Sequence, residues 1–259
     1  MNEDDEDESE GSLAEGQPAP LRLRRAEAIL RRRTSRLVLV MERPWNDDNV
    51  QAVLRTAEAF GVQHVWTIRH PGKKARLAKS VTKGSHRWLT RRLFESIEEC
   101  LAAAQEENLA IWATDLGPGA LEITEPASLQ PFPERVALVI GRELQGVSEK
   151  ILEVADRRIF LPMHGFTESF NLSVATALVL QRCFDSEPSL VGAMASEERD
   201  ALRFEWFDRL AKFKPGKMTA FRRFANDPPE PLETLRPSEE ARAPRLRKED
   251  LERLNEIEG

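Results

Sequence analysis

The sequence predicts an α/β fold, a mostly parallel sheet with helices on both faces, and three observations carry that expectation. Short runs of Val, Leu and Ile alternate with longer segments whose apolar residues recur at helical spacing. Several of these runs are apolar throughout, as strands covered on both faces must be. Glycines stand where a run or a helical segment should end, at Gly61, Gly141 and Gly146.

Taken in order, residues 21–36, LRLRRAEAILRRRTSR, place Leu and Ile on one helical face and arginines around the rest. Such a helix is either a solvated surface element or a phosphate-binding one, with Arg22, Arg24, Arg25 and Arg32 as candidate RNA contacts. RLVLVME (36–42) reads as a buried strand. NVQAVLRTAEAFGV (49–62) reads as a helix closed by Gly61, and HVWTI (64–68) as a strand. The pattern then repeats as a helix over 93–108, a strand over 109–115, a Pro-rich connection around 130–133 and a strand over 136–141. A helix over 148–155, a strand over 157–163 and a long helix over 171–184 complete it. Beyond Glu187 the alternation stops: 197–224 is helical in its first part and basic in its second, and the remainder is rich in Pro, Arg and Glu. The expected organisation is an acidic disordered tail (1–18), a basic helix (19–35), the α/β domain (36–186) and a basic, partly helical and partly disordered extension (187–259).

Hydrophobic residues make up 41% of the chain, enough for a core, yet 32% is charged, so much of the length must be solvated or must meet charged partners. The net charge is −6, but Met1–Glu15 holds eight carboxylates and no base, which leaves the rest of the chain at +2. That tail has too little apolar surface to offset the entropy of ordering. From Pro71 to Arg92 there are eight cationic residues, Lys83 and Arg87 among them, and no carboxylate. With the first helix and the basic aromatic segment 212–224, this makes three cationic surfaces and points to a nucleic-acid partner. No apolar run reaches the eighteen residues of a membrane span, and the N-terminus lacks the order of a signal peptide, so a cytoplasmic protein is expected. Cys100 and Cys183 stand far apart without a His at ligand spacing, which argues for two reduced buried thiols rather than a metal site.

VALVIGRELQGVS puts Gly141 at the end of a strand and Gly146 before a helix. Gly-x-Glu-x-x-Gly is neither the dinucleotide pattern nor a Walker loop, and Glu143 in such a turn would repel phosphate and suit a ligand with cationic or donor groups. In LPMHGFTESFNLSVATAL, Ser169 and Asn171 sit where a helix should begin, as N-caps or as pocket residues; His164 is a loop residue or a catalyst. Asn49 precedes Arg55 by six residues. A guanidinium between Leu54 and Thr56 is costly unless it forms a salt bridge or faces a pocket.

These elements in this order, with RTAEAFGV, KGSHRW, IGRELQGVS and LPMHGFTESFNLSVA, resemble the SpoU/TrmH branch of the SPOUT RNA methyltransferases over about residues 21–184. Within that branch the chain is most similar to the tRNA guanosine-18 2′-O-methyltransferases, which carry a similar basic helix and Gly-Ser-His loop. The resemblance implies a deep trefoil knot in the C-terminal part of the sheet, despite the rarity of knots. It implies a homodimer whose active sites are completed across the interface, acting on tRNA with S-adenosylmethionine held bent in the knot and with no metal. The two turns would then face each other to clamp the cofactor, with Ile140, Gly141, Gly146, Leu161, Met163 and Leu172 around it. Arg55 would act on the ribose 2′-hydroxyl, as proton acceptor or as positioning group, and Asn49, Glu143, Ser169 and Asn171 would shape the pocket. Competing readings are a ribosomal RNA or other tRNA 2′-O-methyltransferase, a silent RNA-binding scaffold, and a metabolic nucleotide enzyme, for which the phosphate-cradling loop is missing.

Overall fold

The computed structural model describes residues 18–71, 85–142 and 145–236. The acidic tail, the basic loop from Gly72 to Gly84 with Lys83, Glu143 and the stretch from 237 onward lie outside the described residues. Helix α1 (Leu21–Leu30) precedes β1 (Thr34–Glu42), α2 (Asp47–Ala59), β2 (Val62–Ile68), β3 (Thr90–Phe94), α3 (Ile97–Glu106) and β4 (Ala110–Thr114). Next come β5 (Leu121–Glu122), β6 (Val136–Ile140), α4 (Glu149–Leu152), β7 (Arg157–Phe160) and α5 (Leu172–Ser186), then α6 (Ser196–Leu210) and α7 (Pro215–Asn226). The strands form one sheet in the order β3-β2-β1-β6-β4-β7-β5, and every pairing is parallel.

Strand periodicity divides the core into two layers. Leu37, Leu39 and Met41 of β1 and Val136, Leu138 and Ile140 of β6 pack with α2 and α5. Their neighbours Val38, Val40, Ala137 and Val139 face the other way, against α3 and α4. All of these side chains are buried, because parallel strands are covered on both faces. Helix α2 starts where the Asn46 side chain accepts a hydrogen bond from Asp48 N at 2.8 Å, with Asp47 and Asp48 in the positive first turn. It ends at Gly61, whose φ of +80° turns the chain into β2.

The expected elements are present, β5 is an addition, and there are four further differences. Leu93 and Phe94 belong to β3, not to the following helix, which starts only after Ser96 caps Glu99 N at 3.2 Å. Strand β3 is an edge strand whose Thr-Arg-Arg-Leu run is mostly exposed, so it shows no apolar signature. Helix α4 is a single short turn, and β7 stops at Phe160, which frees Leu161–Met163 for the loop beyond it. The basic part of the C-terminal segment is helical too, as α7.

A third cluster joins the two ends of the chain. Leu23, Ala26 and Leu30 of α1 pack with Leu202, Trp206 and Phe207 of α6 and Phe221 and Ala225 of α7. Between α1 and α6 the buried Glu27 accepts two hydrogen bonds from Arg203, at 2.7 and 3.2 Å, and one from Arg31 at 2.9 Å. Burial alone would raise the Glu27 pKa; the Arg203 and Arg31 hydrogen bonds outweigh it, and the net shift is downward. Several arginines expected to meet phosphate have partners inside the protein. Arg22 lies 5.0 Å over the Phe221 ring, Arg24 donates to Glu230 O, and Arg32 donates to Ala28 O; Arg25 is exposed. Arg33, fully buried, pairs with Glu58 of α2 at 2.8 Å and lies 5.2 Å over Trp206.

This extension closes the amino end of the sheet. Ser35 N donates to Ala193 O, and Glu198 of α6 accepts from Ser35 Oγ at 2.6 Å and meets His64 Nε2 at 2.7 Å.

Candidate active site

At the opposite, carboxyl end of the sheet a cavity of about 370 Å³ opens beyond Thr114 of β4, Ile140 of β6 and Phe160 of β7, where ligands of open α/β sheets bind. The two turns singled out in the sequence both line it. Ile140, Gly141 and Gly146 come from one side, and Leu161, Met163, Ser169 and Leu172 from the other.

The two glycines serve different purposes. Arg142 and Gly146 are tied together by Arg142 N to Gly146 O at 3.0 Å and Gly146 N to Arg142 O at 2.9 Å. Gly146 has φ +63°, which glycine adopts without strain. Gly141 is needed for space, since a Cβ there would lie 2.1 Å from Gly146 C and 2.2 Å from Val147 N. Just beyond Gly146 the chain is tied to the sheet: Glu42, buried at the end of β1, accepts a hydrogen bond from Ser148 N at 2.8 Å.

Aliphatic side chains and backbone form most of the wall, with Thr114, Asp115, Arg142, Gln145 and Glu168 as its other polar members. Asp115 is held by Arg158 at 3.2 Å and by Gly117 N at 2.9 Å. Mostly apolar walls that also carry the Asp115 and Glu168 carboxylates fit a nucleoside with a cationic chain. Thr114, Asp115 and Glu168 were not singled out in the sequence. The signal that would have found the first two is their place at the carboxyl end of a strand.

The remaining candidates lie beside the cavity. Asn171 caps α5 by accepting from Ser173 N at 3.0 Å, as a cap should, and its Nδ2 donates to Asn49 Oδ1 at 3.1 Å. The Asn-x5-Arg and Ser-x-Asn motifs are thus joined where α2 packs on α5. Arg55 is exposed rather than buried, does not line the cavity, and among the described residues makes no side-chain hydrogen bond or ion pair. The desolvation cost expected from its neighbours therefore does not arise. His164 is exposed and outside the cavity wall. Cys100 and Cys183 are buried and free, and burial pushes both thiols up to about 12, which makes them poor nucleophiles. Among the described residues no His, Cys, Asp and Glu cluster could hold a metal, and no helix is long and apolar enough to cross a membrane.

A parallel α/β sheet with a mostly apolar cavity, lined by Gly141 and Gly146, at its carboxyl end has the place where such folds bind nucleotide-like ligands. Residues 36–181 match the SpoU rRNA Methylase family, and the chain belongs to that family. Its members are RNA methyltransferases that use S-adenosylmethionine. Among relatives, the Aquifex aeolicus tRNA (guanosine(18)-2′-O)-methyltransferase is 34% identical over 159 residues, 61% of this chain and 74% of that protein. The Bacillus subtilis 23S rRNA (guanosine(2553)-2′-O)-methyltransferase RlmP is 31% identical over 154 residues, 57% of each chain. The crystal structure of the A. aeolicus TrmH/SpoU tRNA modifying enzyme superposes with a TM-score of 0.62 and 29% identity, covering 71% of this chain and 94% of that one.

Proposed function

We propose that this chain methylates the ribose 2′-oxygen of guanosine-18 in the tRNA D-loop. The observation that carries the reading is the convergence of the two motif turns on one cavity, within the stretch shared with relatives named for that reaction. S-adenosylmethionine supplies an electrophilic methyl group on a sulfonium centre. Ile140, Gly141, Gly146, Leu161, Met163 and Leu172 hold it through backbone and apolar contacts. Asn49 and Asn171 brace the junction of α2 with α5, and with Glu143 and Ser169 they shape the pocket. Arg55 orients the 2′-hydroxyl or, if its site perturbs it strongly, accepts the proton.

The exposed position of Arg55 supports a homodimer in which each Arg55 serves the partner's cavity. Phe170, Val174 and Leu178, exposed on or beside α5, supply an apolar face for that contact. In the same reading, the C-terminal part of the domain forms a deep trefoil knot, tRNA meets the cationic surfaces that include Arg25 and Arg87, and the work is done in the cytoplasm. A ribosomal RNA substrate is the second reading, favoured by the RlmP similarity.

The test is transfer of a labelled methyl group from S-adenosylmethionine to unmodified tRNA and to 23S rRNA fragments, with wild type and Arg55→Ala. The expected result is methylation at a D-loop 2′-oxygen, lowered at least about a hundredfold in the variant, with calorimetric cofactor affinity unchanged. Methylation of ribosomal RNA alone would replace the first reading by the second.

A further inference from the structure

Between α6 and α7 the chain reads Lys212-Phe213-Lys214-Pro215-Gly216-Lys217. Lys212 and Phe213 both have positive φ, 53° and 55°, a conformation that successive L-residues adopt only when their surroundings impose it. Backbone hydrogen bonds from Lys212 N to Arg209 O, Phe213 N to Asp208 O and Lys214 N to Ala211 O impose it here. A turn selected only to connect two helices would carry Gly or Asn at such positions.

The neighbouring rings of Phe207 and Phe221 are fully buried, but Phe213 is 64% exposed. Lys212 and Lys214 are exposed on either side of it, and among the described residues neither has an ion-pair partner. The nearby carboxylates are already engaged, Asp208 by Arg222 at 2.6 Å and Glu205 by Arg209. The turn therefore holds out an exposed ring between two ammonium groups that no carboxylate among the described residues neutralises.

The cationic surroundings continue toward the edge of the sheet. Trp88 packs on Trp206 at 5.1 Å, with Arg209 5.8 Å over the Trp88 ring. The His86 pKa is lowered, first by burial and then by the guanidiniums of Arg91, Arg87 and Arg209, so these charges converge there. An apolar protein partner would have to desolvate the two lysines, whereas RNA satisfies both ring and charges.

We infer that Phe213 stacks on an unpaired base of the substrate RNA while Lys212 and Lys214 contact the flanking phosphates. The inference rests on the RNA-methyltransferase reading and extends it to a turn beyond the family's matched residues. Because the extension closes the amino end of the sheet and the cavity lies at the carboxyl end, this contact acts on binding and not on methyl transfer.

The experiment uses the full chain with an unmodified tRNA transcript. Phe213→Leu keeps an apolar side chain without a π face, Phe213→Trp keeps the face, and Phe213→Gly relieves the positive φ. The Leu and Gly variants are expected to bind tRNA about tenfold more weakly, with KM raised and kcat unchanged, and the Trp variant to match wild type. Phe213→Gly should also melt at a higher temperature than wild type, which separates lost binding from lost folding. Replacing both lysines by Ala should lower the slope of log affinity against log salt by about 1.4. Unchanged affinity in Phe213→Leu and Phe213→Gly overturns the inference. If wild type methylates a 23S rRNA fragment instead of tRNA, the substrate reading fails by itself, and the same variants are scored on that fragment.

Discussion

The cavity at the carboxyl ends of β4, β6 and β7 is built from backbone, glycine and aliphatic side chains, whereas the amino end of the sheet is closed by guanidiniums, carboxylates and indole rings. At the first end the protein withholds its own atoms, and Gly141 leaves room only for the backbone of Gly146 and Val147. At the second it uses its charges on itself: Arg203 and Arg31 on Glu27, Arg33 on Glu58, and Arg22 over Phe221. A count of arginines therefore overstates the charge available to RNA on α1, while the two lysines beside Phe213 have no ion-pair partner among the described residues.

The comparison is broken most severely at Gly141. Gly141→Ala places a methyl about 2.1 Å from the Gly146 backbone, so the backbone there must shift at a cost. Cofactor binding by calorimetry should become undetectable while the amino-end cluster, followed by Trp fluorescence, stays folded. Retained binding would mean that the backbone at Gly146 and Val147 yields to the added methyl. At the other end, Arg203→Ala leaves Glu27 buried with only Arg31, at a cost of about 3 kcal/mol in urea unfolding. Its affinity for S-adenosylmethionine should not change, since the cavity is built elsewhere.

The smallest effect sharpens the same contrast through pH. Because the folded-state pKa of Glu27 lies below its ordinary 4.5, its contribution is fully present above that value. It is lost as pH falls from 4.5 through the depressed value. Urea titrations at pH 6, 4.5 and 3.5 should show this acid loss in wild type and a shallower one in Glu27→Gln. Equal slopes would place the acid sensitivity in other carboxylates.

Much of this was legible before the structure. The continuous apolar runs marked β1 and β6 as central strands, and Gly61 marked the end of α2. The cofactor-pocket residues from Ile140 to Leu172 named from the resemblance all line the cavity. Strand β3 was hidden because an edge strand can carry Arg91 and Arg92 without penalty, and β5 because two residues give no periodicity. Thr114, Asp115 and Glu168 were missed because spacing along the chain says nothing about which strand ends and loops become neighbours in the sheet.

The sequence by itself determined the alternation of elements, the glycine-hinged turns and the cationic segments, all of which depend on local periodicity and backbone freedom. Only the tertiary structure decided which charges are spent inside. It joined Asn49 to Asn171, left Arg55 in solvent, and folded α1 onto helices almost two hundred residues away. Those outcomes depend on which side chains meet across the chain, and a charge acquires its meaning from the partner it finds there.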